Sequence, residues 1–86
     1  MIKIIFDYRK LEGKIKEIFG TQKNMAKAMG MGRNSLNLRL NNRAEFKPKD
    51  IKVMAMLLGI KESEYYEYFF TEKVQKNELS KDKEVV

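Results

Sequence analysis

The chain has no cysteine and no histidine, and a single proline in 86 residues. Without cysteine there is no disulfide framework, and without either residue type there is no ordinary zinc site. The same absence removes the commonest general base and the most reactive nucleophile. No paired carboxylates, Ser/His/Asp set or phosphate-binding glycine loop compensates. Gly30-Met31-Gly32 lacks the lysine and Ser/Thr that a phosphate loop needs. The sequence therefore predicts a non-enzyme with no cofactor and no metal. No apolar run approaches the ~18 residues of a membrane span. The opening Met1-Ile2-Lys3-Ile4-Ile5-Phe6 is too short for a signal-peptide core and lacks a small-residue cleavage site. A cytoplasmic location is expected.

Acid is missing from one stretch in particular. Between Thr21 and Arg43 stand five cations (Lys23, Lys27, Arg33, Arg39, Arg43) and no Asp or Glu. The chain carries a formal charge of +6, and the other 63 residues are nearly balanced, so almost the whole excess falls in this window. A solvated helical face would normally mix in acids for i,i+4 pairing. A basic surface of this kind prefers polyanions, nucleic acid foremost.

Length and pattern indicate one small domain over residues 1–70 and a charged tail over 71–86, frayed after about residue 76. Residues 7–19 predict a first helix, with Tyr8, Leu11, Ile15 and Ile18/Phe19 on one stripe, Asp7 as N-cap and Gly20 as stop. Thr21 caps a second, short helix whose apolar face is Met25, Ala26 and Met29, ending at Gly30. Within 33–41 the leucines at 36, 38 and 40 alternate as in a strand, yet Leu36 and Leu40 also suit a helix with Leu38 outward. The neighbouring elements favour the helix. Asn41-Asn42-Arg43 is a turn signal. Pro48 opens a fourth helix buried through Ile51, Met54, Ala55, Leu57 and Leu58 and stopped by Gly59. Ser63 caps a short fifth helix to Phe69. Ile2–Ile5 and Phe70–Val74 can pair as a minor terminal ribbon.

The spacing Thr21-Gln22…Ala26…Met29-Gly30-Met31-Gly32…Leu36 is more specific than its parts. A small residue permits a close crossing of two short helices, a glycine permits the tight turn, and flanking apolar residues pin both helices to the core. Here the chain resembles the phage lambda repressor and Cro family of helix-turn-helix proteins, down to the Met-Gly-Met-Gly run. The resemblance covers about residues 21–42 and extends loosely to residue 70 through the order of the helices. It implies an all-α, five-helix, lambda-repressor-like domain. It also implies that Gln22 touches phosphate and braces the first side chain of the recognition helix. Arg33, Asn34 and Asn37 would then face base edges, and Asn41 would lie near backbone phosphate. Gly32 departs from the Ser or Thr frequent at that cap, and Arg39 stands where the family usually buries an aliphatic residue. Leu40 must then take the core contact, which leaves the rotation of the helix open by about one position.

Chemistry supports the same set. Arg can bond guanine O6 and N7 bidentately, Asn can do so with adenine N6 and N7, and an outward Leu38 suits a thymine methyl. Ser35 belongs to this face, and a helix N-terminus at Gln22 and Lys23 offers N–H donors to phosphate. Lys27, Arg39 and Arg43 complete the candidate DNA-binding set. The expected function is a small phage or prophage regulator, a Cro-like repressor that occupies an operator and excludes polymerase. One helix reads few base pairs, so a homodimer on a two-fold-related double-stranded site is expected. Five cations near DNA predict a salt slope of roughly −4 to −5 per subunit. The shortness of the chain favours Cro over a repressor with a second domain. Two alternatives stand beside this: an antitoxin-type autoregulator whose Tyr65–Phe70 region masks a toxin, and a protein-interaction module on the same fold. The aromatic run itself, interleaved with Glu62, Glu64 and Glu67, suits core closure or a dimer surface better than base stacking.

Overall fold

A computed structural model describes residues 4–73. The domain is all-α, with five helices in the order α1 (Arg9–Phe19), α2 (Gln22–Met29), α3 (Arg33–Leu40), α4 (Pro48–Leu58) and α5 (Tyr65–Phe69). A single 3-10 turn, Glu62–Glu64, leads into α5. Each helix contributes an apolar stripe to one core: Leu11 and Ile15 from α1, Met25 and Ala26 from α2, Leu36 and Leu40 from α3, Ile51, Met54, Ala55 and Leu58 from α4, and Tyr68 and Phe69 from α5. These helices are short, and short helices persist only when packing holds them.

The punctuation explains the compact path. Gly20 and Gly59 end α1 and α4, and Gly30 ends α2 in the left-handed region at φ 75°. Its N–H closes on Lys27, and that of Met31 closes on the Ala26 carbonyl at 3.0 Å. Thr21 Oγ1 accepts the Asn24 N–H at 3.1 Å, and Asn24 Nδ2 donates to the Phe19 carbonyl at 3.0 Å, so α2 is fastened to the end of α1 as it starts. Pro48 occupies the first turn of α4, and the Asp50 carboxylate accepts the Lys47 N–H at 3.0 Å. In α3, Leu36 and Leu40 are buried and Leu38 points outward.

Three expectations need correction. Helix α1 starts at Arg9, because Phe6 and Asp7 before it pair with Glu72 and Thr71 instead. Asp7 still satisfies a helix donor, accepting the Arg9 N–H at 3.0 Å, but from outside the helix. Ser63 is not the cap of the last helix. Glu64 reaches back to the Lys61 N–H at 3.0 Å and winds a 3-10 turn ahead of α5. Among the described residues the terminal ribbon is present as one antiparallel bridge, Phe6 with Glu72, flanked by Asp7 N–H to the Thr71 carbonyl and Lys73 N–H to the Ile5 carbonyl, both 2.7 Å. The expected strand residues Ile2, Lys3 and Val74, and the expected fraying after residue 76, lie outside the described residues. The charged tail anticipated from residue 71 thus begins with three residues that pair with the N-terminal segment.

That segment is clamped from its other side as well. Asn42, in the left-handed region at φ 61°, donates through Nδ2 to the Phe6 carbonyl and accepts the Phe6 N–H through Oδ1, both at 2.9 Å. Phe6 then joins an aromatic cluster with Tyr8, Phe46, Phe69 and Phe70, with ring centroids 5.3 to 6.2 Å apart and mostly edge-to-face. Tyr68 and Phe69 close the core, whereas Tyr66 is exposed. In α1, Ile18 is exposed and Phe19 carries the end of the stripe.

Two measurements check this packing. Met54 is fully buried and Met56, two residues on and so on the opposite side of the same helix, is 75% exposed. Met54→Ala should cost about 2–5 kcal/mol in chemical denaturation, and Met56→Ala within about 0.5 kcal/mol. Equal costs would contradict the assigned face of α4. The hydrogen bonds from the Arg9 side chain and backbone hold the Asp7 carboxyl down at about 2, against 3.8 ordinarily. A depressed acid stabilises the fold above its unfolded value and loses that contribution as pH falls through the folded one. A carboxyl-resolved NMR titration should therefore show Asp7 ionised well below pH 3.8, and Arg9→Ala should return it towards the ordinary value.

Candidate nucleic-acid interface

The surface around α3 follows from its two buried leucines. With Leu36 and Leu40 turned inward, helical geometry puts positions 34, 37, 38 and 41 within an arc of about 100° on the opposite side. Asn34, Asn37, Leu38 and Asn41 are all exposed, as is Arg33 at the first turn. Leu38, at 38% exposure, is the apolar member of this row. Ser35 is half-buried on the flank.

Side-chain hydrogen bonds tie this row to its neighbours. Asn37 Nδ2 donates to Gln22 Oε1 at 3.3 Å, so the first residue of α2 braces the middle of α3. The family resemblance implied a brace on the first side chain of the helix; here the brace falls one turn later. Asn41 Nδ2 caps the end of α3 by donating to the Asn37 carbonyl at 2.9 Å. The Arg43 N–H closes the following turn on the Leu38 carbonyl at 2.8 Å.

The cations divide into two groups. Lys23, Lys27, Arg33 and Arg43 are exposed, and among the described residues none of them forms an ion pair. Arg39 behaves differently. Its side chain is 19% exposed, Nη1 donates to the Ser35 carbonyl at 2.9 Å, and Nε lies 3.5 Å from Asp50 Oδ2 on α4. Of the candidate residues, the structure therefore brings Gln22, Lys23, Lys27, Arg33, Asn34, Asn37, Leu38, Asn41 and Arg43 to the surface formed by α2, α3 and the turn after it. Ser35 sits at its edge, and Arg39 faces α4. Leu40 takes the core contact, which fixes the rotation that the sequence left open.

Two participants were not anticipated. Asn42 was legible only as a turn residue; an Asn is among the few non-glycine residues that tolerate positive φ, but its grip on Phe6 is a long-range contact. Asp50 stands three residues after Lys47, the position from which a carboxylate reaches back over a helix start. Its pairing with Arg39 had no local signal.

Away from this surface, a concavity of about 610 Å³ opens between the N-terminal segment, the 42–46 loop and α5, lined by Ile4, Phe6, Tyr8, Phe46 and Phe70 among others. Arg43 and Glu45 at its edge carry opposite charges, so it lacks the one-sided potential of the α2–α3 surface. Among the described residues no group of three His, Cys, Asp or Glu side chains is placed to hold a metal ion, and no helix is long and apolar enough to cross a membrane.

Over its described residues the chain is thus a small five-helix domain with a polar, cation-rimmed short helix on its surface. It belongs to the DUF739 family, described as a protein of unknown function, whose match runs over residues 4–72. It is also similar to the solution structure of the modulator of repression of the temperate bacteriophage TP901-1 from Lactococcus lactis. That likeness has 37% sequence identity and a TM-score of 0.71, and covers 81% of this chain and 95% of the other. No curated protein sequence matches the chain.

Proposed function

We propose that this protein is a small phage-type regulator that binds double-stranded DNA, with α2 and α3 acting as a helix-turn-helix and α3 entering the major groove. The observation that carries the proposal is the outward face of α3, a row of Asn34, Asn37, Leu38 and Asn41 with Arg33 exposed at its leading end, beside cations that have no acidic partner among the described residues. Arg33 and Asn34 at the leading turn are the base-reading candidates, Asn37 is braced by Gln22 for the same task, and Leu38 meets a thymine methyl. Lys23, Lys27 and Arg43 serve phosphate, and the N-terminus of α2 offers it backbone donors. The likeness to a phage modulator of repression supports the regulatory part of the proposal. Reading few base pairs per helix, the protein would act as a homodimer on a two-fold-related operator and repress by occupying it, in the cytoplasm of the bacterial host.

A second reading also draws on Leu38, an exposed apolar residue amid polar and cationic neighbours. The same face would suit an acidic protein surface with an apolar pocket, making the chain an interaction module in phage regulation.

Equilibrium binding to duplex DNA separates them. With four unpaired cations the slope of log affinity against log salt should be about −3 to −4 per subunit. Arg33→Ala should cost about 1–3 kcal/mol and relax preference at one base position. Lys27→Ala should weaken binding to every duplex alike and reduce the slope by about one. Absence of binding to any duplex at low salt would overturn the DNA proposal and favour the interaction module.

A further inference from the structure

We infer that Arg39 is a positioning residue rather than a DNA contact: paired with Asp50, it sets the roll of α3 about its own axis and so the angle at which Arg33, Asn34 and Asn37 are presented. The consequence for binding rests on the DNA proposal above; the strut itself does not.

Three observations carry the inference. First, the guanidinium spans two elements, with Nη1 donating to the Ser35 carbonyl on α3 at 2.9 Å and Nε 3.5 Å from the Asp50 carboxylate on α4. The planar fork of Arg serves the two partners from two nitrogens in a fixed geometry, which a lysine ammonium, placing all its donors on one atom, does not reproduce. Second, Nε is buried and makes no hydrogen bond, so the Asp50 charge is what compensates its removal from water. Third, Asp50 is itself fixed. It accepts the Lys47 N–H at the start of α4 and precedes the buried Ile51. The close helix approaches of α3 are to α2, where Asn37 also bonds Gln22, so the Arg39–Asp50 pair adds a side-chain tie on the other flank, to α4, that resists rolling of α3 over its two leucines.

The alternative role, a phosphate contact, predicts different behaviour for three variants. Arg39→Lys keeps the charge and would keep a phosphate contact, but it breaks the strut. Asp50→Asn removes a negative charge and should raise affinity for every duplex if charge alone matters. Its side-chain oxygen can still cap Lys47, so α4 remains intact. Arg39→Met keeps the aliphatic stem and removes the head. On the strut account, all three lower the affinity for the duplex selected by the wild type from a random pool, relative to random duplex, about tenfold, the scale of one lost base pair. The salt slope would stay within measurement of the wild type. A slope reduced by about one in Arg39→Met, with the ratio unchanged and Arg39→Lys fully active, would overturn it.

A DNA-free arm keeps the two proposals distinguishable. In ¹⁵N spectra of the full chain, the Arg39 Nε–H signal should exchange slowly with water and lose that protection in Asp50→Asn. The backbone amides of Arg33–Asn37 should move in the same pattern in Asp50→Asn and Arg39→Met. If the wild type binds no duplex, the DNA proposal fails and this arm alone decides the strut: matched shifts support it, and unmoved α3 amides overturn it.

Discussion

Everything on the candidate surface depends on two leucines one helical turn apart. Leu36 and Leu40 are the only residues of α3 that reach the core, and both are buried. Because they lie on one edge of an eight-residue helix, the opposite edge has nothing to pack against and is left to polar side chains. The Gly30 turn sets the chain direction between α2 and α3, and the leucines set which way the second helix faces. An additional buried residue on the outward side would have drawn the helix into the core and removed the surface altogether.

Around that constraint the rest of the domain is organised as support. α2 is fastened to α1 through Thr21 and Asn24, and α4 is started by Pro48 and Asp50. The turn after α3 is locked by Asn42 gripping the backbone of Phe6, itself bridged to Glu72. The N-terminal segment, the last described residues and the turn beside α3 therefore form one contiguous hydrogen-bonded unit. The aromatic cluster of Phe6, Tyr8, Phe46, Phe69 and Phe70 packs ring against ring beside it and lines the open concavity there. Similarity to a phage modulator of repression over most of both chains accords with a compact regulatory domain of this kind.

Legibility in the sequence followed the range of the interactions. Local devices were readable: the Thr21 cap, the Gly20, Gly30 and Gly59 stops, Pro48 at a helix start, and the choice of helix over strand at 33–40 once the flanking elements were considered. Contacts between distant residues were not. Nothing near Arg39 signals that Asp50 will neutralise it, so an acid-free window of five cations supplies only four to the surface. Asp7 and Ser63 were plausible caps by residue type, but tertiary pairing displaced the first and a carboxylate one residue on pre-empted the second. The bridge formed within the expected Phe70–Val74 segment on one side and one residue past Ile5 on the other, because short terminal segments carry little register information of their own. Candidate base-reading residues could be named from spacing and resemblance; their exposure and the brace from Gln22 to Asn37 needed coordinates.

The central claim is that α3 carries sequence information to a DNA groove, and selection of bound duplexes from a random pool tests it most directly. The account predicts enrichment of a short motif in two inverted copies, their centres separated by about one turn of DNA. A pool that emerges with its starting composition after repeated rounds at low salt would contradict it.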